Sequence, residues 1–180
     1  MDKPIEQQLV AMQEDQRRWA TENFGTQTPI QMMMGILGEL GEFLEHLEEN
    51  DNNAVEDDIG DIGVYLMNYC NLKGWSVVNL LEDMKPQHRY SRISPYNVVT
   101  FVRWLPHHQL KGDQNIRGGT AFHEAKVQEF FSYLLWQLNE VARELLDSTF
   151  FDCLCKAWSK VSKRDWVLHP DDAHEVAENG

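Results

Sequence analysis

Residues 35–69 read GILGELGEFLEHLEENDNNAVEDDIGDIGVYLMNY, and the fold turns on them. Ile36, Leu37, Leu40, Phe43 and Leu44 recur at helical spacing in the first half, and Ile59, Ile62, Val64 and Leu66 occupy the second. Glu39 and Glu42 are separated by two residues, as are Asp58 and Asp61, so each pair projects from one face of its helix. The intervening Glu49, Asn50, Asp51, Asn52 and Asn53 predict a turn. Helices joined by so short a turn run antiparallel and set the two acid pairs side by side. Carboxylates gathered this closely repel one another and cannot all ionise in a packed interior alone. A hard divalent cation resolves the conflict, because Mg²⁺ or Mn²⁺ takes oxygen ligands.

The plainer alternative is a solvated acidic face, which is what helically spaced acids usually form. The apolar residues interleaved with the acids argue against it. So do Gly35, Gly38, Gly41, Gly60 and Gly63. A helix-interior glycine costs about 1 kcal/mol relative to alanine, and close helix approach around a site is a reason to keep it.

Upstream, Ile5, Leu9, Met12 and Trp19 mark an amphipathic helix over residues 4–24, stopped at Gly25. Thr28 and Pro29 supply an N-cap and a first helical residue. The second helix then runs to about Glu49, with Met32, Met33 and Met34 as adaptable core. The third helix covers about residues 54–72 and stops at Gly74, and a shorter one is predicted from Trp75 to Lys85. Residues 86–96, PQHRYSRISPY, form a connector. The apolar run 97–105 is β-branched enough for a strand, yet the chain offers no sheet partner, so helix is the reading. A polar, basic loop is predicted over 106–120, then a long helix over 122–146 and a last one over 150–161. Residues 30–80 and 98–158 repeat the order long helix, loop, long helix, short helix, and only the first carries the four acids. The predicted architecture is one all-α domain over residues 1–168, followed by an acidic tail at 169–180.

The formal net charge of −13 argues against nonspecific binding to DNA or RNA, but not against binding of a nucleotide, to which a metal lends local positive charge. No apolar run approaches the ~20 residues a membrane span needs, and the first residues lack the apolar segment of a signal peptide. Cys70, Cys153 and Cys155 cannot all pair within one chain and read as reduced, packed thiols of a cytoplasmic protein. His107 and His108 lack a second Cys/His pair at zinc spacing. A di-iron bundle would need Glu-x-x-His on two helices, which neither acid pair provides.

The acid pattern GELGE followed by DDIGDIGVYL resembles the MazG-like all-α nucleoside triphosphate pyrophosphatases. Their pattern is E-E-x-x-E, a gap, then E-x-x-D on two antiparallel helices. Glu39 and Glu42 match the last two acids of the first motif, and Gly38 replaces its first. Asp61 matches the closing Asp, and Asp58 stands where the family has Glu, one methylene shorter. Trp19, Asn23, Phe24 and Gly25 ahead of Thr28-Pro29, LKGDQNIRG at 110–118 and WSKVSKRDW at 158–166 also look like segments of bacterial and phage members. The likeness touches roughly residues 9–168.

The resemblance implies Mg²⁺- or Mn²⁺-dependent hydrolysis of a (d)NTP between its α and β phosphates, in a homodimer or homotetramer serving nucleotide-pool control. Glu39, Glu42, Asp58 and Asp61 are then metal ligands and catalytic residues. Lys111, Arg117, Lys160, Lys163 and Arg164 are candidate phosphate contacts, arginine being suited to bidentate contact. Dipole compensation at a helix C-terminus is the plain alternative for Lys160, Lys163 and Arg164. Trp19 and Phe24 can stack on a base. Tyr65 and Asn68 follow Asp61 by one and two helical turns and share its face, although core packing accounts for Trp19 and Tyr65 equally well. A purine deoxynucleotide such as dGTP suits phage members that reshape the pool, while no residue in the sequence selects guanine. No Walker motif is present, which excludes a P-loop enzyme. The competing readings are a nucleoside diphosphate or diphosphate-sugar hydrolase on the same fold, and a non-catalytic helical interaction protein.

Overall fold

The computed structural model describes residues 3–83 and 95–169, the side chains of 95–102 excepted. Among the described residues it is all-α, with no strand: α1 Lys3–Phe24, α2 Pro29–Glu49, α3 Asn52–Lys73, α4 Val77–Glu82, α5 Pro95–Asp113, α6 Gly119–Leu145 and α7 Phe150–Val161. The connector at 86–96 lies outside the described residues as far as residue 94, and so does the tail beyond residue 169.

The α2–α3 hairpin is set by local chemistry. Pro29 opens α2, and Gln31 folds back to accept from the Thr28 backbone N–H at 2.8 Å. Asn50 closes α2 in the left-handed region, φ 59°, which asparagine tolerates better than most residues. The Asp51 carboxylate accepts from the N–H groups of Asn53 and Ala54, both at 3.1 Å, and so caps α3. Three contacts fix the antiparallel register: His46 with Asp58, Gly35 with Tyr65, and Met32 with Asn68.

Helix α3 is the axis of the molecule. Twelve of its 22 residues are buried, because α1, α2, α6 and α7 all pack against it. Two of the five glycines permit that crowding on the α7 side. A Cβ on Gly60 would lie 2.6 Å from both the Ala157 Cβ and the Cys153 carbonyl oxygen, and one on Gly63 would touch Leu154 and Phe150 at 3.0 Å. Gly35 leaves room for the Tyr65 ring. Gly38 and Gly41 face open space, so the close-approach argument fails for those two.

The loop expected over 106–120 is shorter than its composition suggests. Helix α5 continues through Pro106 to Asp113 because the next turn is anchored on its buried side. His108 Nδ1 meets His123 Nδ1 at 2.8 Å, and Gln109 accepts from the Tyr69 hydroxyl while donating to Asp113. His107 and His108 therefore stand on a helix rather than in a loop. The turn itself is compressed into 114–118, with positive φ at Asn115, Arg117 and Gly118. Helices α5 and α6 pack as a second hairpin, which preserves the repeated order seen in the sequence. Of the large apolar side chains, Met32, Met33 and Phe150 are buried, and Trp136 and Phe151 pack on the core, whereas Met34 is 61% exposed. No helix among the described residues is long and apolar enough to cross a membrane.

Candidate active site

Three of the four predicted carboxylates converge. Glu39 and Glu42 from α2 and Asp58 from α3 bring one oxygen each to within 4.8 Å of one another. This all-oxygen set fits a hard divalent cation such as Mg²⁺ or Mn²⁺. Asp61 is not part of that cluster. It lies one turn further along α3, where it is the strongest charge acting on Glu39 and itself feels the Arg164 cation. Burial, and then repulsion by Asp61, Glu42 and Asp58, push the Glu39 carboxyl up from 4.5 to about 7. Burial likewise raises Asp58 and Asp61. His46 works against the rise at Asp58 and Arg164 against that at Asp61.

His46 is a site residue that the sequence reading passed over. Its Nδ1 lies 2.7 Å from Asp58 Oδ2, where an imidazole N–H fixes the carboxylate's orientation. The signal was present: His46 follows Glu42 by one helical turn, on the face that carries the acids.

A cavity of about 400 Å³ opens beside the acids. Glu39 and Asp61 line one part of it, and Tyr65 and Asn68 continue the α3 face, as their spacing predicted. Trp19 and Phe24 from the end of α1 also line it, their rings 5.4 Å apart and edge-on. The Asn68 amide nitrogen donates to Gln27 Oε1 at 2.8 Å, so the Asn68 oxygen and the Gln27 nitrogen remain for other partners. The volume falls in the range of small-molecule pockets, and the lining mixes aromatic, amide and charged groups.

The five basic candidates separate. Arg164 lines the cavity and carries a buried Nε without a hydrogen-bond acceptor. Lys160 is engaged at the surface by Asp57 at 2.8 Å. Lys163 is exposed and does not line the cavity. Lys111 bonds Gln114 at the far end of α5, and Arg117 sits exposed in the α5–α6 turn; neither lines the cavity. Trp166, inside the quoted WSKVSKRDW segment but unassigned by sequence, does line it.

The α2–α3 hairpin thus sets a carboxylate cluster suited to a hard cation beside a cavity with aromatic lining. Residues 27–85 match the family model described as the MazG nucleotide pyrophosphohydrolase domain. That stretch holds the hairpin and α4, and the expected MazG-like resemblance and all-α architecture stand on it. No curated protein and no solved structure matches the chain.

Proposed function

We propose that the protein is a metal-dependent nucleoside triphosphate pyrophosphohydrolase, which converts a (d)NTP to the monophosphate and pyrophosphate in nucleotide-pool control. The observation that carries this reading is that the Glu39, Glu42 and Asp58 cluster, on the hairpin that the family model matches, adjoins through Glu39 a cavity shared by Arg164 and the aromatic side chains. Glu39, Glu42 and Asp58 would hold Mg²⁺ or Mn²⁺, and Asp61 completes the acidic wall. When bound, the cation neutralises phosphate charge and lowers the pKa of an attacking water. A carboxylate of this wall, Glu39 being the candidate, would take the proton of the attacking water. Arg164 offers a charge-assisted hydrogen bond to a phosphate oxygen. Trp19, Phe24 and Tyr65 offer ring faces to a base, and Asn68 an amide oxygen.

The test is pyrophosphate release from the eight common (d)NTPs, dGTP among them, with Mg²⁺, with Mn²⁺ and with chelator. Monophosphate and pyrophosphate must appear together, and Asp58→Asn must abolish both. One observation favours the second reading, a nucleoside diphosphate or diphosphate-sugar hydrolase: of the five basic candidates only Arg164 lines the cavity, which suits fewer phosphates. Release of the nucleoside monophosphate together with orthophosphate or a sugar phosphate from such a diphosphate, with (d)NTPs untouched, would decide for it. The proposal includes a cytoplasmic homodimer or homotetramer, supported by exposed Met34 and Val10. A 21.0 kDa particle in sedimentation at micromolar concentration would count against that.

A further inference from the structure

The chain leaving α7 is tied to the end of α1 by two side-chain hydrogen bonds. The Trp19 indole N–H donates to the Arg164 carbonyl oxygen at 3.0 Å, and Asn23 Oδ1 accepts from the Trp166 backbone N–H at 2.7 Å. The Asn23 amide is oriented by its own helix, since its nitrogen donates to the Trp19 carbonyl at 3.0 Å. That leaves the oxygen, the only group able to accept from Trp166, pointing at the segment. Asn23 does not itself line the cavity, whereas Trp166 does. The Trp166 ring lies 6.1 Å from that of Phe24, which in turn packs edge-on against Trp19. Two residues before Trp166, Arg164 acts on Asp61 at the acidic part of the cavity. Residues 164–166 thus bring a cation and an aromatic ring to the same cavity within three positions.

We propose that Trp166 is a specificity-determining wall for the flat, apolar part of the ligand, and that Asn23 is a positioning residue acting through Trp166. The proposal rests on the nucleotide-hydrolase reading of the cavity. The ligand it describes is a planar heterocycle carrying an anionic group a few bonds away, the ring held among Trp19, Phe24 and Trp166 and the anion directed past Arg164. No residue of the α2–α3 hairpin supplies this aromatic wall beyond Tyr65.

A double-mutant cycle on Asn23→Ala and Trp166→Ala tests it, with the full chain, Mg²⁺ and the α,β-methylene analogue of dGTP as the binding probe in calorimetry. Trp166→Ala should weaken binding about tenfold, the equivalent of about 1.4 kcal/mol. Asn23→Ala should weaken it several-fold, and the double variant should bind no more weakly than Trp166→Ala alone. In turnover, both effects should fall on KM and leave kcat within about twofold. Should Trp166→Ala not fold, Trp166→Leu keeps an apolar side chain there and removes the indole face. Unchanged binding in either single variant overturns the proposal, and so does a double variant in which the two losses multiply. A wild-type protein that does not bind the probe overturns it as well. Wild type that binds the probe but releases no pyrophosphate, with the coupling intact, overturns the hydrolase reading and leaves the wall standing. Normal turnover without coupling does the reverse.

Discussion

Replacing Glu39 by Gln should stabilise the metal-free protein, and the gain should depend on pH. The Glu39 carboxyl is pushed from 4.5 up to about 7 by burial and by Asp61, Glu42 and Asp58. At about 1.4 kcal/mol per pH unit, ionising it in the folded state costs at most roughly 3.4 kcal/mol. Glu39 is only half buried, and solvent screening brings that down to about 1–2 kcal/mol. The sign follows from proton counting. Between about 4.5 and about 7 the folded protein holds more protons on Glu39 than the unfolded chain does, so stability falls as pH rises through that window. Glutamine does not titrate. The variant should therefore match wild type near the bottom of the window and exceed it above the top, by roughly 2–8 °C in Tm for a chain of this length. The assay is calorimetry in chelator across that pH range, repeated with Mn²⁺, where wild type should gain stability by mass action and the variant less. A Glu39→Gln protein that melts below wild type at pH 8, or that differs from it by the same amount at every pH, refutes the reasoning and makes Glu39 a structural residue.

The glycines give a paired test. Gly60→Ala drives a Cβ to 2.6 Å from the Cys153 carbonyl oxygen and should cost about 1–3 kcal/mol, while Gly38→Ala meets open space and should stabilise by up to about 1 kcal/mol through helix propensity; thermal melts distinguish them. His46, raised above 6.5 first by its hydrogen bond to Asp58, should contribute stability that is present below 6.5 and lost as pH rises through its folded value. His46→Ala should remove that pH dependence, and an imidazole titrating at or below 6.5 by NMR would contradict the assignment. Arg164→Ala should raise KM for the nucleotide, whereas Lys160→Ala should leave it unchanged because Lys160 is engaged by Asp57 at the surface; equal effects in steady-state kinetics would void the distinction.

The α2–α3 hairpin was legible because each of its signals is local. The Thr28-Pro29 start, the Asn50-Asp51 turn and the Gly74 stop each act within a few residues, and the structure places the helix ends within two residues of them. The acid spacing gave the shared faces, and hence Tyr65 and Asn68 beside Asp61. The failures have a common physical origin in contacts made between distant parts of the chain. Pro106, the polar run after it and the adjacent histidines read as loop, since nothing near them in sequence reveals that His108 faces His123 or that Gln109 meets Tyr69. Glycine spacing could not tell Gly60, pressed against α7, from Gly38, which faces nothing. Charge density marked Lys160, Lys163 and Arg164 together and residue type favoured Arg164 and Arg117, yet only the packing of the segment after α7 against α1 brings Arg164 to the cavity.

The division of the cavity also bears on how this chain is to be compared with others. The family match ends at residue 85 and begins at residue 27. It contains all four carboxylates, His46, Tyr65 and Asn68. Trp19, Phe24, Arg164 and Trp166 lie outside it, on either side in sequence, and are brought together by hydrogen bonds spanning more than 140 residues and by the Phe24–Trp166 ring contact. Under the proposed function, the cation-binding and proton-accepting groups therefore belong to the matched hairpin, while on the base side Trp19, Phe24 and Trp166 come from the unmatched ends and join Tyr65 and Asn68 of the hairpin. A carboxylate cluster tolerates little change, because a hard cation restricts ligand type, number and distance. An aromatic wall tolerates many shapes, since any ring face can stack. Exchanging residues 158–166 between related chains, with the Trp19 and Asn23 contacts retained, should then alter which nucleotide is preferred while leaving divalent-cation dependence unchanged. A swap that alters metal dependence instead would show that the two halves of the cavity are not separable.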